Sequence, residues 1–68
     1  MMIVNTTKTK IRITIEKPEF GSPVYTYYYD DWDCIYDTTK NFVVLKDTTI
    51  IDTVDHLPTD RITVLMLK

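Results

Sequence analysis

The sequence predicts a single small domain over residues 1–68, of the all-β or β-rich α+β class. Threonine, isoleucine and valine supply 26 of the 68 residues, and alanine is absent. β-Branched side chains lose rotamer freedom in a helix and pack well on a pleated sheet. A chain of 8.0 kDa is one domain at most. We therefore expect a small antiparallel sheet of four to six strands that forms a barrel-like or sandwich domain.

The clearest strand covers residues 8–16. Ile11, Ile13 and Ile15 alternate strictly with polar residues, which is typical of a strand with one buried face. Residues 18–23 contain two prolines and the only glycine. Because proline lacks an N–H and glycine tolerates positive φ, this segment predicts a loop that reverses the chain.

Four later segments also have strand patterns, and a hairpin loop over residues 37–41 joins two of them. Residues 42–46 are apolar on both faces, which predicts a central strand. The last segment is apolar on both sides near its end, which predicts a place inside the sheet or in a subunit interface. We expect Phe20 to fold over one end of the core. The four segments are residues 24–29, 32–36, 42–46 and 61–68.

Residues 49–57 fit two structures. Apolar side chains at helical spacing, a capping-box pattern from Thr49 to Asp52, and Pro58 as a stop signal favour one short helix. The threonines, isoleucines and valine of the same segment favour a further strand. Both alternatives stay open.

Residues 24–32 contain four of the five tyrosines and the only tryptophan. On a strand, Tyr25, Tyr27 and Tyr29 share one face, and Tyr28 lies on the other. One aromatic face should line the core, because both cannot face water in so small a domain. We expect the three-tyrosine face to be partly exposed or to lie in an interface.

The charge distribution disfavours a nucleic-acid surface built on excess lysine and arginine. The formal net charge is −2, and residues 30–60 contain eight aspartates against two lysines. The sequence contains no run of eighteen apolar residues, so we expect no transmembrane helix. The apolar stretch at its start is too short for the core of a signal peptide. With Cys34 as the single cysteine, we expect a cytoplasmic protein without disulfides.

Four aspartates near the aromatic segment are the first candidate for a metal site. Asp31 and Asp33 form a D-x-D pattern, and Asp30 and Asp37 lie close to them in sequence. A lone D-x-D is a weak signal, and the glycine and glutamate of a calcium loop are absent. A solvated, turn-forming acidic patch is the favoured interpretation. We expect no metal and no cofactor.

The residues required for catalysis are sparse. His56 lies between Asp55 and Leu57, where an imidazole could be oriented for acid–base chemistry. No convincing nucleophile accompanies it, because Cys34 alternates with aromatic residues on an apolar face, where a thiol stays protonated. We expect the protein not to be an enzyme.

These patterns predict a protein-interaction module, either an inhibitor or an adaptor. Tyrosine and tryptophan are enriched at binding hot spots, and a carboxylate rim attracts basic partners. In a sharper version, the carboxylates imitate a phosphate backbone and block a basic nucleic-acid-binding protein. The size and acidity of this chain are similar to those of compact proteins that viruses and mobile elements use to block such proteins. The expected partner-binding residues are Tyr25, Tyr27, Tyr29, Asp30, Asp31, Trp32, Asp33 and Asp37.

Two further expectations concern partners. The alternative function is single-stranded nucleic-acid binding, with bases stacked on the tyrosines of residues 25, 27 and 29. A homodimer is also expected, because a 68-residue chain has little means of covering doubly apolar strands and open sheet edges by itself.

Overall fold

The computed structural model describes residues 1–67 and places seven strands in two antiparallel sheets. The β-rich fold class predicted from the sequence is confirmed, in its sandwich form. The strand number is one above the expected range, because the short first strand was not predicted. In chain order the strands are β1 (Met2–Val4), β2 (Lys10–Glu16), β3 (Val24–Tyr29), β4 (Cys34–Asp37), β5 (Asn41–Lys46), β6 (Thr49–Asp55) and β7 (Arg61–Leu67).

The first sheet has four strands in the order β1-β4-β5-β6, and the second has three in the order β3-β2-β7. The hairpin from β2 to β3 and the loop between β4 and β5 lie where the sequence predicted them. β5 is internal, as its two apolar faces predicted. β7 is an edge strand, so of its two expected places the one inside the sheet is wrong, and the one in a subunit interface stays a prediction.

The core consists of one cluster of apolar side chains between the sheets. The alternation in β2 turns its isoleucines inward, and the alternation in β4 and β5 does the same for Ile35, Phe42 and Val44. These inner faces pack against each other and define the sandwich. The buried apolar residues are Ile11, Ile13, Ile15, Trp32, Ile35, Phe42, Val44 and Val54.

Residues 49–55 form a strand, so the helical alternative is wrong. The cause is the two-residue turn before β6, in which Asp47 and Thr48 both have positive φ, 51° and 61°. Two left-handed residues between paired strands make a type I′ turn, whose twist matches an antiparallel hairpin. Lys46 and Thr49 are the first pair of that hairpin. The register then shifts at Val44 and Leu45, where β6 has a bulge.

Phe20 is exposed at the end of a 3-10 turn (Pro18–Phe20), so the expectation that it covers the core is wrong. The turn ends at Gly21, whose φ of 86° suits glycine. This geometry directs Phe20 toward solvent.

An ion pair joins Lys17, which follows β2, to Asp60, which precedes β7. The Lys17 Nζ lies 2.6 Å from Oδ2 of Asp60, and the Asp60 side chain is 2% exposed. The same oxygen accepts the Leu57 N–H at 2.8 Å. The hydrogen bond from Lys17, together with that from Leu57, holds the pKa of Asp60 below its usual value.

We predict that Thr48→Gly stabilises the protein. A β-branched residue in the left-handed region is strained, and glycine removes that strain, so the free energy of unfolding should rise by about 1 kcal/mol. Urea unfolding measures the difference. Thr53→Gly, inside the neighbouring strand, is the control and should lower stability by a similar amount. A loss of stability in Thr48→Gly would contradict the turn geometry.

We also predict that Asp60 contributes to acid sensitivity. Because its pKa is lowered in the folded state, its stabilising effect is present above the unfolded pKa of about 4 and disappears as the pH falls through the folded pKa. Asp60→Asn should therefore be less stable than the wild type at neutral pH and should lose less stability on acidification. Urea unfolding from pH 7 to pH 2 tests this, with Asp55→Asn as an exposed control. Parallel curves for wild type and Asp60→Asn would refute the assignment.

Candidate interaction surface

The three tyrosines Tyr25, Tyr27 and Tyr29, here called the tyrosine row, lie on the inner side of the three-stranded sheet. Their cross-strand partners are the core residues Ile15, Ile13 and Ile11, and paired residues in antiparallel strands project to the same face. The opposite face of β3 is exposed and carries Tyr28. The tyrosine row is thus the aromatic face that lines the core.

The row is nevertheless only partly covered, because β3 is an edge strand. Tyr27 and Tyr29 pack against the core cluster, while Tyr25 is 47% exposed. The Tyr29 hydroxyl donates a 2.5 Å hydrogen bond to Asp52 of β6, which joins the two sheets at this side of the sandwich. Burial and the nearby Asp52 carboxylate raise the pKa of Tyr29 well above its usual value.

No strand within residues 1–67 pairs with the free edge of β3. Its six residues include no charge and no proline, and its pairing with β2 is regular from residue 24 to residue 29. Natural edge strands are usually protected by charges, prolines, bulges or shortness. β6, at the neighbouring edge of the other sheet, has a bulge and two aspartates. β3 therefore presents unpaired backbone groups and aromatic side chains together.

Trp32 occupies a different place from the one expected. It is 2% exposed and belongs to the core, outside any strand. Its indole N–H donates to the Thr9 carbonyl at 2.9 Å, and the Asn5 amide donates to the Trp32 carbonyl at 2.9 Å. A side chain so deeply buried has no area to offer a partner, so we leave Trp32 out of the interaction surface.

The aspartates beside the aromatic segment are matched by lysines. Asp30 pairs with Lys10 at 3.4 Å. Lys46 lies 3.0 Å from Asp31, 3.8 Å from Asp33 and 4.0 Å from Asp47. The hydrogen bond and charge of Asp31, together with the other two carboxylates, raise the pKa of Lys46. We call Lys46 with its three aspartates the Lys46 cluster; it anchors the loop before β4 to the turn before β6.

Asp37 does not belong to this group. It ends β4, whereas Asp33 precedes the same strand, and its backbone N–H donates to the Met1 carbonyl at 2.7 Å. Of the four expected aspartates, Asp30, Asp31 and Asp33 therefore lie close together, and Asp37 does not. Lys46 and Asp52, which pair with the expected residues, were missed because only tertiary contact places them there.

A polar cavity of about 180 Å³ lies beside the Lys46 cluster. This volume is below the range of roughly 300–1,000 Å³ usual for small-molecule sites. Among residues 1–67, no three histidine, cysteine, aspartate or glutamate side chains are close enough to share a metal ion. The residues around the cavity are Asn5, Lys8, Asp30, Asp31, Trp32, Asp33 and Lys46.

His56 follows the end of β6, whereas Cys34 begins β4. The His56 ring packs on Phe42, with 5.1 Å between ring centroids. Its nitrogens face the carbonyl oxygens of Thr38 and Leu57 at 3.1 and 3.2 Å. A neutral imidazole can donate to only one of two such carbonyls. Cys34 pairs with Leu45 at the other end of β4, so the two residues form no catalytic pair.

No protein-family model, curated protein or solved structure matches this chain. No helix in the part of the chain that the structure describes has the length and apolar character needed to span a membrane.

We predict that Tyr29→Phe lowers stability at neutral pH and weakens its alkaline dependence. Loss of the hydrogen bond to Asp52 should cost about 1 kcal/mol. Because the pKa of Tyr29 is raised by folding, its stabilising effect is present below the unfolded pKa of about 10 and falls as the pH rises above it. Urea unfolding from pH 7 to pH 11 tests both effects. Tyr28→Phe is the control on the opposite face, and identical behaviour of the two variants would contradict the assignment.

Proposed function

We propose that the protein is a non-enzymatic protein-interaction module, an adaptor or inhibitor, that binds an extended segment of a partner protein along the free edge of β3. The observation that carries this proposal is the open, uncharged six-residue edge from Val24 to Tyr29. An added strand would gain backbone hydrogen bonds from this edge, while side chains of β3 would contact it on both faces.

The side chains of β3 support such a mode of binding. Tyr25 projects on the inner side and is 47% exposed; Tyr28 projects on the outer side and is 56% exposed. Tyrosine contributes large contact area at low entropic cost, which is why it is common at hot spots. An added strand would therefore meet an aromatic ring on each face.

The β7 edge is the natural competitor, since it is also uncharged from Ile62 to Leu67. It has no aromatic side chain, and its first residue, Arg61, lies 3.6 Å from Glu16 of β2. Aromatic anchors favour β3 as the binding edge.

Asp30 and Asp31 follow β3 directly and would form the rim of the surface. Their side chains are largely exposed, so they can attract a basic partner during encounter. The nearby Lys10 and Lys46 offset much of this negative charge. The pairing lends less support to the phosphate-mimic version of the hypothesis, which needs a strong uncompensated negative field.

The alternative of single-stranded nucleic-acid binding has less support as well. Base stacking needs exposed ring faces and a basic groove. Tyr27 and Tyr29 pack against the core cluster, and the Tyr29 hydroxyl is bonded to Asp52. Aspartates 30, 31 and 33 lie beside the same strand.

Thr26 and Thr63 provide a matched test of the proposed edge. Both are exposed, and both pair with Thr14, one from β3 and the other from β7. We expect linear peptides selected from a random displayed library against the wild type to bind Thr26→Lys at least about tenfold more weakly, because an edge lysine blocks strand addition. Binding to Thr63→Lys should be unchanged. Titration calorimetry with the selected peptides measures both affinities.

Amide hydrogen exchange locates the bound peptide independently. Binding should slow exchange at backbone amides between residues 24 and 29 and leave those between 61 and 67 unaffected. Failure to select any binding peptide, equal weakening in both variants, or protection of β7 in place of β3 would each overturn the proposal.

A further inference from the structure

The outer face of the four-stranded sheet is apolar, although no other element of residues 1–67 covers it. Cross-strand partners project to the same side, so the registers of β1, β4 and β5 bring six such side chains together. Several are exposed, including Tyr36 at 45%. We call this surface the outer apolar face; its members are Met2, Val4, Cys34, Tyr36, Val43 and Leu45.

β6 extends this face with two further uncharged positions. Ile50 pairs with Leu45 and Thr53 pairs with Val43, and Ile50 is largely exposed. Two consecutive rows of the sheet, each crossing all four strands, therefore contain no charged side chain.

The outer face of the three-stranded sheet is mixed in character, because charged side chains lie there beside the exposed Val24, Tyr28 and Leu65. Lys10, Arg12 and Glu16 project there from β2, and Arg61 projects there from β7. The two outer faces of the sandwich thus differ in charge: four charged side chains lie on the outer face of the three-stranded sheet, and none lies in the two rows of the four-stranded sheet.

The chemistry of the outer apolar face restricts what can bind it. A charged partner surface would lose water without gaining an ion pair, so the occupant must itself be apolar and uncharged. A second copy of the same face meets this requirement and carries no like charges to repel its mate. Two sheets with the same right-handed twist also stack well in an aligned arrangement.

The available area is suited to a reversible dimer. Four strands about 4.8 Å apart, with side chains at each border, give a face on the order of 600 Å². This is at the upper end of the largest apolar patches on monomers, roughly 300–600 Å². It is below the approximately 800 Å² per partner of a standard stable interface.

We infer that the outer apolar face binds the same face of a second copy, which gives a homodimer with twofold symmetry. A twofold contact uses one surface patch twice and closes on itself. This inference does not rest on the proposed binding of a partner at β3, which involves a different sheet and a different side of the molecule.

Tyr36 and Tyr28 provide a matched test, because they are the same residue type with similar exposure on opposite outer faces. We expect sedimentation equilibrium of the wild type, from tens to hundreds of micromolar, to show a concentration-dependent mass that approaches twice 8.0 kDa. Tyr36→Glu should raise the dimer dissociation constant at least about tenfold, because two carboxylates would be buried without partners. Tyr28→Glu, which adds the same charge beside Arg12, should leave the dimer dissociation constant at its wild-type value.

The single cysteine adds a second measurement within the same face. Cys34 is partly exposed in one copy, and the dimer would cover it. The rate of its reaction with a soluble thiol reagent should fall as wild-type concentration rises and should be independent of concentration in Tyr36→Glu. Circular dichroism confirms that each variant is folded, and Ile50→Glu replaces Tyr36→Glu if the latter is not. A wild type that stays monomeric, or equal effects of the two tyrosine substitutions, would overturn the inference.

Discussion

The packing of three isoleucines of β2 against the inner face of the four-stranded sheet is the contact on which the rest of the structure depends. Ile11, Ile13 and Ile15 are essentially inaccessible to water, and they lie opposite Ile35, Phe42 and Val44, which are equally buried. A domain of this size has few such side chains and little reserve stability. In the same sheet β3 and β7 flank β2, while β4 and β5 supply the facing layer.

Strands whose apolar residues alternate strictly could be predicted from the sequence. The face that such a strand turns toward the core often could not. β2 and the internal position of β5 follow from the spacing of their apolar residues. β3 has aromatic side chains on both faces, so its local pattern does not show which tyrosines line the core. Pairing with the isoleucines of β2 decides that, and pairing is a tertiary property.

β6 shows the limit of propensity arguments in another way. Its apolar residues have helical spacing, but the preceding turn, with Asp47 and Thr48 in left-handed conformations, directs the chain back along β5. A type I′ turn usually has asparagine or aspartate with glycine. Threonine at the second position gave no sequence signal for this turn, so the hairpin was not predicted.

The sequence predicted the residue types of the candidate surface well, but it did not predict how far lysines would neutralise the aspartates there. A run of aspartates suggests a strongly negative surface when only neighbours in sequence are considered. Lys10 and Lys46 pair with these aspartates across the fold, and the second lysine comes from the far end of β5. Trp32 illustrates the same limit, because its indole is buried in the core and donates a hydrogen bond to the Thr9 carbonyl.

The two proposed surfaces are compatible, and their arrangement has a functional consequence. The β3 edge belongs to the three-stranded sheet, and the outer apolar face belongs to the back of the four-stranded sheet. A dimer through that face leaves both β3 edges open, one on each copy. Such a dimer could bind two segments of one partner at once, and the second binding event would then benefit from a high effective concentration. Weak strand addition at each edge would in this way become strong binding to partners that carry two or more such segments.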